Sequence, residues 1–155
     1  FNVMIKKNLI KLLILLFFVS ACGYTPIYTS KNSSFAITQL NTTGNNKLNR
    51  IISAKLTNYK DTNANKQLNL SINTSLEKEV SSKDAKGNPK TYRINLKSNI
   101  LIKDSKGNKK NKLFIKSIDY NNRNNKSDLK KLENETSKIL ATKIAEEIIV
   151  YLQSI

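Results

Sequence analysis

The sequence predicts an α+β fold, a two-layer sandwich in the order β-α-β-β-β-α. Two helices pack on one face of a four-stranded, mostly antiparallel sheet. Three observations point there. Apolar residues alternate with polar ones through Leu68, Leu70, Ile72 and Leu76, and again through Tyr92, Ile94, Leu96, Ile100 and Ile102, as in strands with one buried face. Two other segments space their apolar residues by three and four, as amphipathic helices do. The triplet Lys-Gly-Asn occurs at 86–88 and at 106–108, where glycine and asparagine accept the positive φ of a hairpin tip.

Taken in order, residues 35–40 (FAITQL) form a short strand, and residues 41–46 (NTTGNN) form a turn that can cap a helix. Leu48, Ile51, Ile52, Leu56 and Tyr59 then share one helix face. Residues 61–66 break that helix, and strand 68–80 follows. Residues 81–90 read as a loop, 92–102 as a strand, 104–111 as a second turn, and 113–120 as a strand apolar on both sides in its middle. Asn125 or Ser127 can cap the last helix, whose apolar set is Leu129, Leu132, Thr136, Ile139, Leu140, Ile144, Ile148, Tyr151 and Leu152. Its length, about 26 residues, corresponds to about 39 Å at 1.5 Å per residue. Three consecutive strands joined by hairpins favour antiparallel pairing, and both helices must bury an apolar stripe against the same sheet face. The other face is left partly open, with Asn69, Ser71, Asn73, Arg93, Asn95 and Lys97 on it.

The first residues follow different rules. Lys6, Lys7 and Lys11 precede an apolar run over residues 12–19, then the small residues Ser20 and Ala21, then Cys22. The run is shorter than the ~20 residues a bilayer span needs and has the charged, apolar, small-residue layout of a secretory signal. Val19-Ser20-Ala21-Cys22 resembles a bacterial lipobox, with cleavage between Ala21 and Cys22. Cys22 is the only cysteine in the chain, so it has no internal disulfide partner. A covalent diacylglycerol and an N-acyl lipid on Cys22 are expected. Each buried methylene contributes about 0.8 kcal/mol, so two or three chains hold a protein at a membrane surface where one would not. The expected organisation is a removed signal peptide at 1–21, a lipidated tether at 22–34 and one domain at 35–155.

The 155 residues carry a formal net charge of +16 and no histidine. Without histidine the commonest general base and the commonest transition-metal ligand are missing, and no metal or other cofactor is expected. No Gly-x-Ser-x-Gly elbow or phosphate-binding glycine loop occurs, so the reading is a non-enzymatic protein. The cations are lysine except for Arg50, Arg93 and Arg123, and asparagine is abundant, a bias that AT-rich coding also produces. The lysines concentrate at the turns. Lys86 and Lys90 lie in one, and Lys106, Lys109 and Lys110 in the other. Because strand 92–102 runs from one turn to the other, the two groups belong at opposite ends of the sheet. They are candidate contacts for the phosphates or carboxylates of an anionic glycolipid, and they equally suit protection of sheet edges. Export argues against nucleic acid as the partner.

Three stretches carry a family resemblance. Cys22-Gly-Tyr-Thr-Pro-Ile-Tyr28, the pattern Arg93-x-x-Leu-x-Ser-x-x-x-Leu-x-x-Asp104-x-x-Gly107, and Ile118-Asp-Tyr-Asn121 before a long alanine-bearing helix resemble alphaproteobacterial members of the LptE family. These are lipoproteins of lipopolysaccharide assembly in the outer membrane. The resemblance implies a two-helix, four-strand fold, outer-membrane attachment through lipid, and a heterodimer with the LptD β-barrel translocon, which such proteins plug. It also implies that lipopolysaccharide itself can be a ligand, with Lys86 and Lys90 nearest the region that relatives use. The alternative expectation is a lipid-anchored envelope binding or structural protein unrelated to lipopolysaccharide transport.

Overall fold

The computed structural model describes residues 33–60 and 64–155. The expected signal peptide, its cut at Ala21 and Cys22, and the tether up to residue 32 lie outside the described residues. Within them the order is β1 (Phe35–Gly44), α1 (Asn46–Thr57), β2 (Lys66–Lys83), β3 (Pro89–Asp104), β4 (Lys109–Asn121) and α2 (Lys126–Ser154). This is the expected α+β arrangement. The sheet runs β1-β2-β3-β4. β1 and β2 are parallel because α1 crosses between them, whereas the hairpins make β2–β3 and β3–β4 antiparallel.

Alternation decides which side of the sheet meets the helices. Leu68, Leu70 and Ile72 on β2, Ile94, Leu96, Ile100 and Ile102 on β3, and Phe114 and Tyr120 on β4 are buried. They meet Leu48, Ile52 and Leu56 of α1 and Leu140, Ile144, Ile148 and Leu152 of α2. Phe35 and Tyr59 stack at 5.1 Å and close the core beside β1. Asn45 caps α1 by accepting from Leu48 N at 3.2 Å, and Asn125 caps α2 by accepting from Ser127 N at 2.8 Å. The helices run side by side in the same direction. Lys47 donates to Asn134 Oδ1 at 2.8 Å near one end, and Lys55 meets Glu146 at 4.0 Å near the other.

The elements are longer than their apolar patterns. β1 continues through Asn41, Thr42 and Thr43 to Gly44 rather than turning after Leu40, because β2 offers it a ladder as far as Thr74. Half of the expected loop 81–90 and half of the expected turn 104–111 are likewise strand, leaving tips of five and four residues. On β4 the expected apolar faces divide cleanly. Phe114 is buried, while Leu113 and Ile115 stay on the open side. Leu76 is also more exposed than expected, because β1 ends opposite Thr74.

α2 has 29 residues and begins at Lys126, so it is about 43 Å long. Its buried residues form two rows at four-residue steps, Thr136-Leu140-Ile144-Ile148-Leu152 and Ser137-Ala141-Ala145-Ile149. Each step drifts about 40° around a 3.6-residue turn, so the stripe slants. Ile139, expected on the buried face, lies off that slant and is 49% exposed.

Candidate functional site

The register brings the expected polar residues together on the open sheet face. Gln39, Asn69 and Lys103 form one row across β1, β2 and β3, and Asn41, Ser71 and Leu101 the next. Towards the β2–β3 turn the rows carry charges in complementary pairs. Arg93 meets Asp119 through two bonds, Nε to Oδ1 at 2.7 Å and Nη2 to Oδ2 at 2.8 Å. Lys97 donates to both oxygens of Glu77 at 2.9 and 2.8 Å. Asn95 links Glu79 and Ser117 at 3.0 and 2.6 Å. The hydrogen bond from Arg93, and secondarily its charge, lowers the Asp119 pKa. Solvent and salt screen exposed pairs of this kind, which contribute little to stability, so their effect is to order the face rather than to hold the fold. Beyond them lies a hollow of about 340 Å³ lined by Asn41, Ser71, Asn73, Asn99, Leu101 and Asn111. Its amides and hydroxyls both donate and accept.

The candidate lysines divide as expected. Lys86 and Lys90 lie at one end of β3, and Lys106, Lys109 and Lys110 at the other. At 3.3 Å per residue the two ends of β3 are about 50 Å apart, so the five do not form one site. All five are exposed, and among the described residues none is in an ion pair. The two turns are built alike, around an aspartate that the Lys-Gly-Asn triplet alone does not reveal. Asp84 Oδ1 accepts from Lys86 N at 2.9 Å and Asn88 N at 2.8 Å. Asp104 Oδ1 accepts from Lys106 N and Asn108 N at the same distances. Gly87 and Gly107 follow with φ of 84° and 87°. Bonds from Asn88 and from Asn108 lower the two carboxyl pKa values. The anchored carboxylates fix the turn backbone and leave the lysine ammonium groups facing water.

A second polar cluster, absent from the sequence expectations, lies where α2 begins to cover β3 and β4. Tyr92 and Tyr120 stack at 5.8 Å, and Lys78 sits 4.0 Å over the Tyr92 ring. Lys78 also pairs with Glu133, which accepts from Tyr120 Oη at 3.0 Å. Burial first, and the Glu133 carboxylate second, push the Tyr120 pKa up. The phenol therefore keeps its proton and acts as a donor. The cluster joins the far end of the sheet to the first turns of α2, where Leu129 and Leu132 are partly buried against the core. Among the described residues no three acidic, cysteine or histidine side chains converge as a metal ion requires, and no helix is long and apolar enough to cross a membrane.

No protein-family model matches the chain, and none of the curated proteins matches it. Solved structures do share its fold. It is similar to rare lipoprotein B from Shewanella oneidensis, with a TM-score of 0.61 and 19% identity over 76% of this chain and 94% of that one. It is similar to a minor lipoprotein from Acinetobacter baumannii, with a TM-score of 0.60 and 14% identity over 76% and 90%. It is also similar to lipoprotein B from Nitrosomonas europaea, with a TM-score of 0.60 and 8% identity over 79% and 86%. At these identities the likeness is one of fold: the chain has the architecture found in lipoproteins of the rare lipoprotein B type.

Proposed function

We propose that this chain is a lipid-anchored outer-membrane lipoprotein of the LptE kind, which seats in the LptD β-barrel translocon and assists lipopolysaccharide insertion. The observation that carries the reading is a conjunction. A domain with the architecture of rare lipoprotein B follows Val19-Ser20-Ala21-Cys22, whose one cysteine stands where lipoprotein processing needs it. The fold suits such a role, because its open sheet face is lined by amides, hydroxyls and paired charges, chemistry compatible with a hydrated barrel wall. Lys86, Lys90, Lys106, Lys109 and Lys110 are the proposed contacts for anionic glycolipid groups.

The anchor is tested by mass spectrometry of the amino-terminal peptide from membrane-extracted protein. The peptide is expected to start at Cys22 and to carry the mass of a diacylglycerol and an acyl chain. An unmodified thiol at Cys22 would remove the lipoprotein reading. With Cys22→Ser, the protein is expected to leave the outer-membrane fraction.

A further inference from the structure

The outer edge of β4 is the longest unpaired strand edge among the described residues. Asp104 N donates to Asn108 O at 3.1 Å and Asn122 N to Lys90 O at 2.8 Å, and the β3–β4 register between them is unbroken. Even-numbered residues of β4 therefore turn their backbone groups towards β3, and Asn111, Leu113, Ile115, Ser117 and Asp119 turn theirs outward. Among the described residues those outward groups have no backbone partner. Natural edges are commonly guarded by lysines; Lys109 and Lys110 stand exposed at the start of this edge, but along its middle Lys116 pairs with Glu147 and Lys112 lies 5.5 Å from the Tyr151 ring. Both are drawn towards α2. Leu113 and Ile115, at 52% and 50% exposure, stand on the open face of this edge.

We infer that two copies of this chain pair antiparallel through β4 about a two-fold axis at Phe114, joining their sheets into one. That register sets odd residues against odd ones, as the outward backbone groups require. It opposes Leu113 to Ile115 of the second copy, Asn111 to Ser117, and Lys109 to Asp119, each twice by symmetry. Apolar, hydrogen-bonding and opposite-charge pairs are the combinations that stabilise a sheet. On the helix side a groove of about 510 Å³ runs beside the edge, lined by Phe114, Glu146, Glu147, Val150 and Tyr151 among others. It accepts Phe114 of the second copy. The register also places Lys112 against Lys116 of the second copy, but each already has its own partner on α2, and Lys143 and Glu146, of opposite charge, both line the groove.

Other edges are poorer candidates. The free part of β2, beyond Thr74, would set Glu77 against Glu79 and Lys78 against itself. On β1, the Ile37 N–H is already taken by Tyr59 O at 2.8 Å. The inference concerns the chain free of other partners and does not rest on the proposed function.

The test uses the full chain with Cys22→Ser in mild detergent, so that an introduced cysteine is the only thiol. The salt concentration should be near 0.15 M, where the repulsion of two highly cationic chains is screened beyond about 8 Å. Mixing Leu113→Cys chains with Ile115→Cys chains should give a disulfide-linked dimer about tenfold faster than either variant alone, because direct cross-strand neighbours lie closer than diagonal ones. Without introduced cysteines, the chain should sediment as a concentration-dependent dimer. Leu113→Lys with Ile115→Lys, both at exposed positions, should weaken that dimer about tenfold or more. Equal cross-linking in the mixture and in the single variants would overturn the inference. So would a chain that stays monomeric at every concentration, or a dimer that the lysine variant leaves unchanged.

Discussion

Gly44 lies against the carbonyl of Thr74. A Cβ placed on Gly44 would sit 2.1 Å from Thr74 O, which also accepts from Asn45 N at 2.8 Å. With φ at 88°, position 44 suits glycine twice over, by backbone conformation and by space. This contact ends the β1 ladder and aims the chain into α1. Gly44→Ala is therefore expected to cost about 3 kcal/mol or more, read as a lower urea midpoint. Gly87→Ala, whose Cβ would meet nothing within 4 Å, should cost only the left-handed backbone penalty, about 1–2 kcal/mol. Equal losses would contradict the steric account.

Thr74 and Ser98 oppose each other on β2 and β3 with buried hydroxyls that have no hydrogen-bond partner among the described residues. An unsatisfied buried polar group costs about 1–3 kcal/mol. Thr74→Val keeps the shape and removes the hydroxyl. It should raise stability by about 1 kcal/mol, measured by chemical denaturation, and a loss of similar size would show that the hydroxyl has a partner after all.

Acid should loosen the turns before the core. The Asp84 and Asp104 carboxyls have folded-state pKa values below the ordinary one, so they bind protons more weakly in the folded chain than in the unfolded chain. Their stabilising effect is complete above the unfolded value near 3.9 and is lost as the pH falls through the lower folded values. Melting temperatures followed from neutral pH into this acid range should drop less steeply for Asp84→Asn with Asp104→Asn than for the unaltered chain. Parallel acid limbs would count against turn anchoring by these two carboxylates.

Ile139 and Ile144 separate what a periodicity shows from what packing decides. Ile144→Ala should cost about 2–5 kcal/mol because the residue is fully buried. Ile139→Ala should stay within about 0.5 kcal/mol, as exposed sites do, and a large loss there would place Ile139 in a contact. Both residues fit a helical repeat, so the sequence pattern groups them together. Only the slanted stripe distinguishes them, and the neighbours that α2 covers set that slant.

The element order and the two-layer arrangement were legible because Leu68, Leu70 and Ile72 alternate and because α2 keeps its apolar stripe over many turns. Strand ends were less so. The strand ends at residues 81–83, 90–91 and 109–112 are polar on both faces and are held by ladder hydrogen bonds, which leave no hydrophobic signature. The separation of the lysine groups followed from hairpin connectivity alone. The anchoring role of Asp84 and Asp104 was not legible, because it depends on backbone N–H groups two and four residues on. The cluster of Lys78, Tyr92, Tyr120 and Glu133 joins three strands and a helix, a proximity that no local spacing displays.

Partnership with an outer-membrane barrel is decided by co-purification. Protein tagged at its carboxyl end and kept at native levels would be extracted in mild detergent and recovered with whatever remains bound. The expected companion is a single large β-barrel protein in near-equal amount, held through extensive washing. Recovery of this chain without any such barrel would contradict the partnership and would favour an envelope lipoprotein with no part in lipopolysaccharide transport.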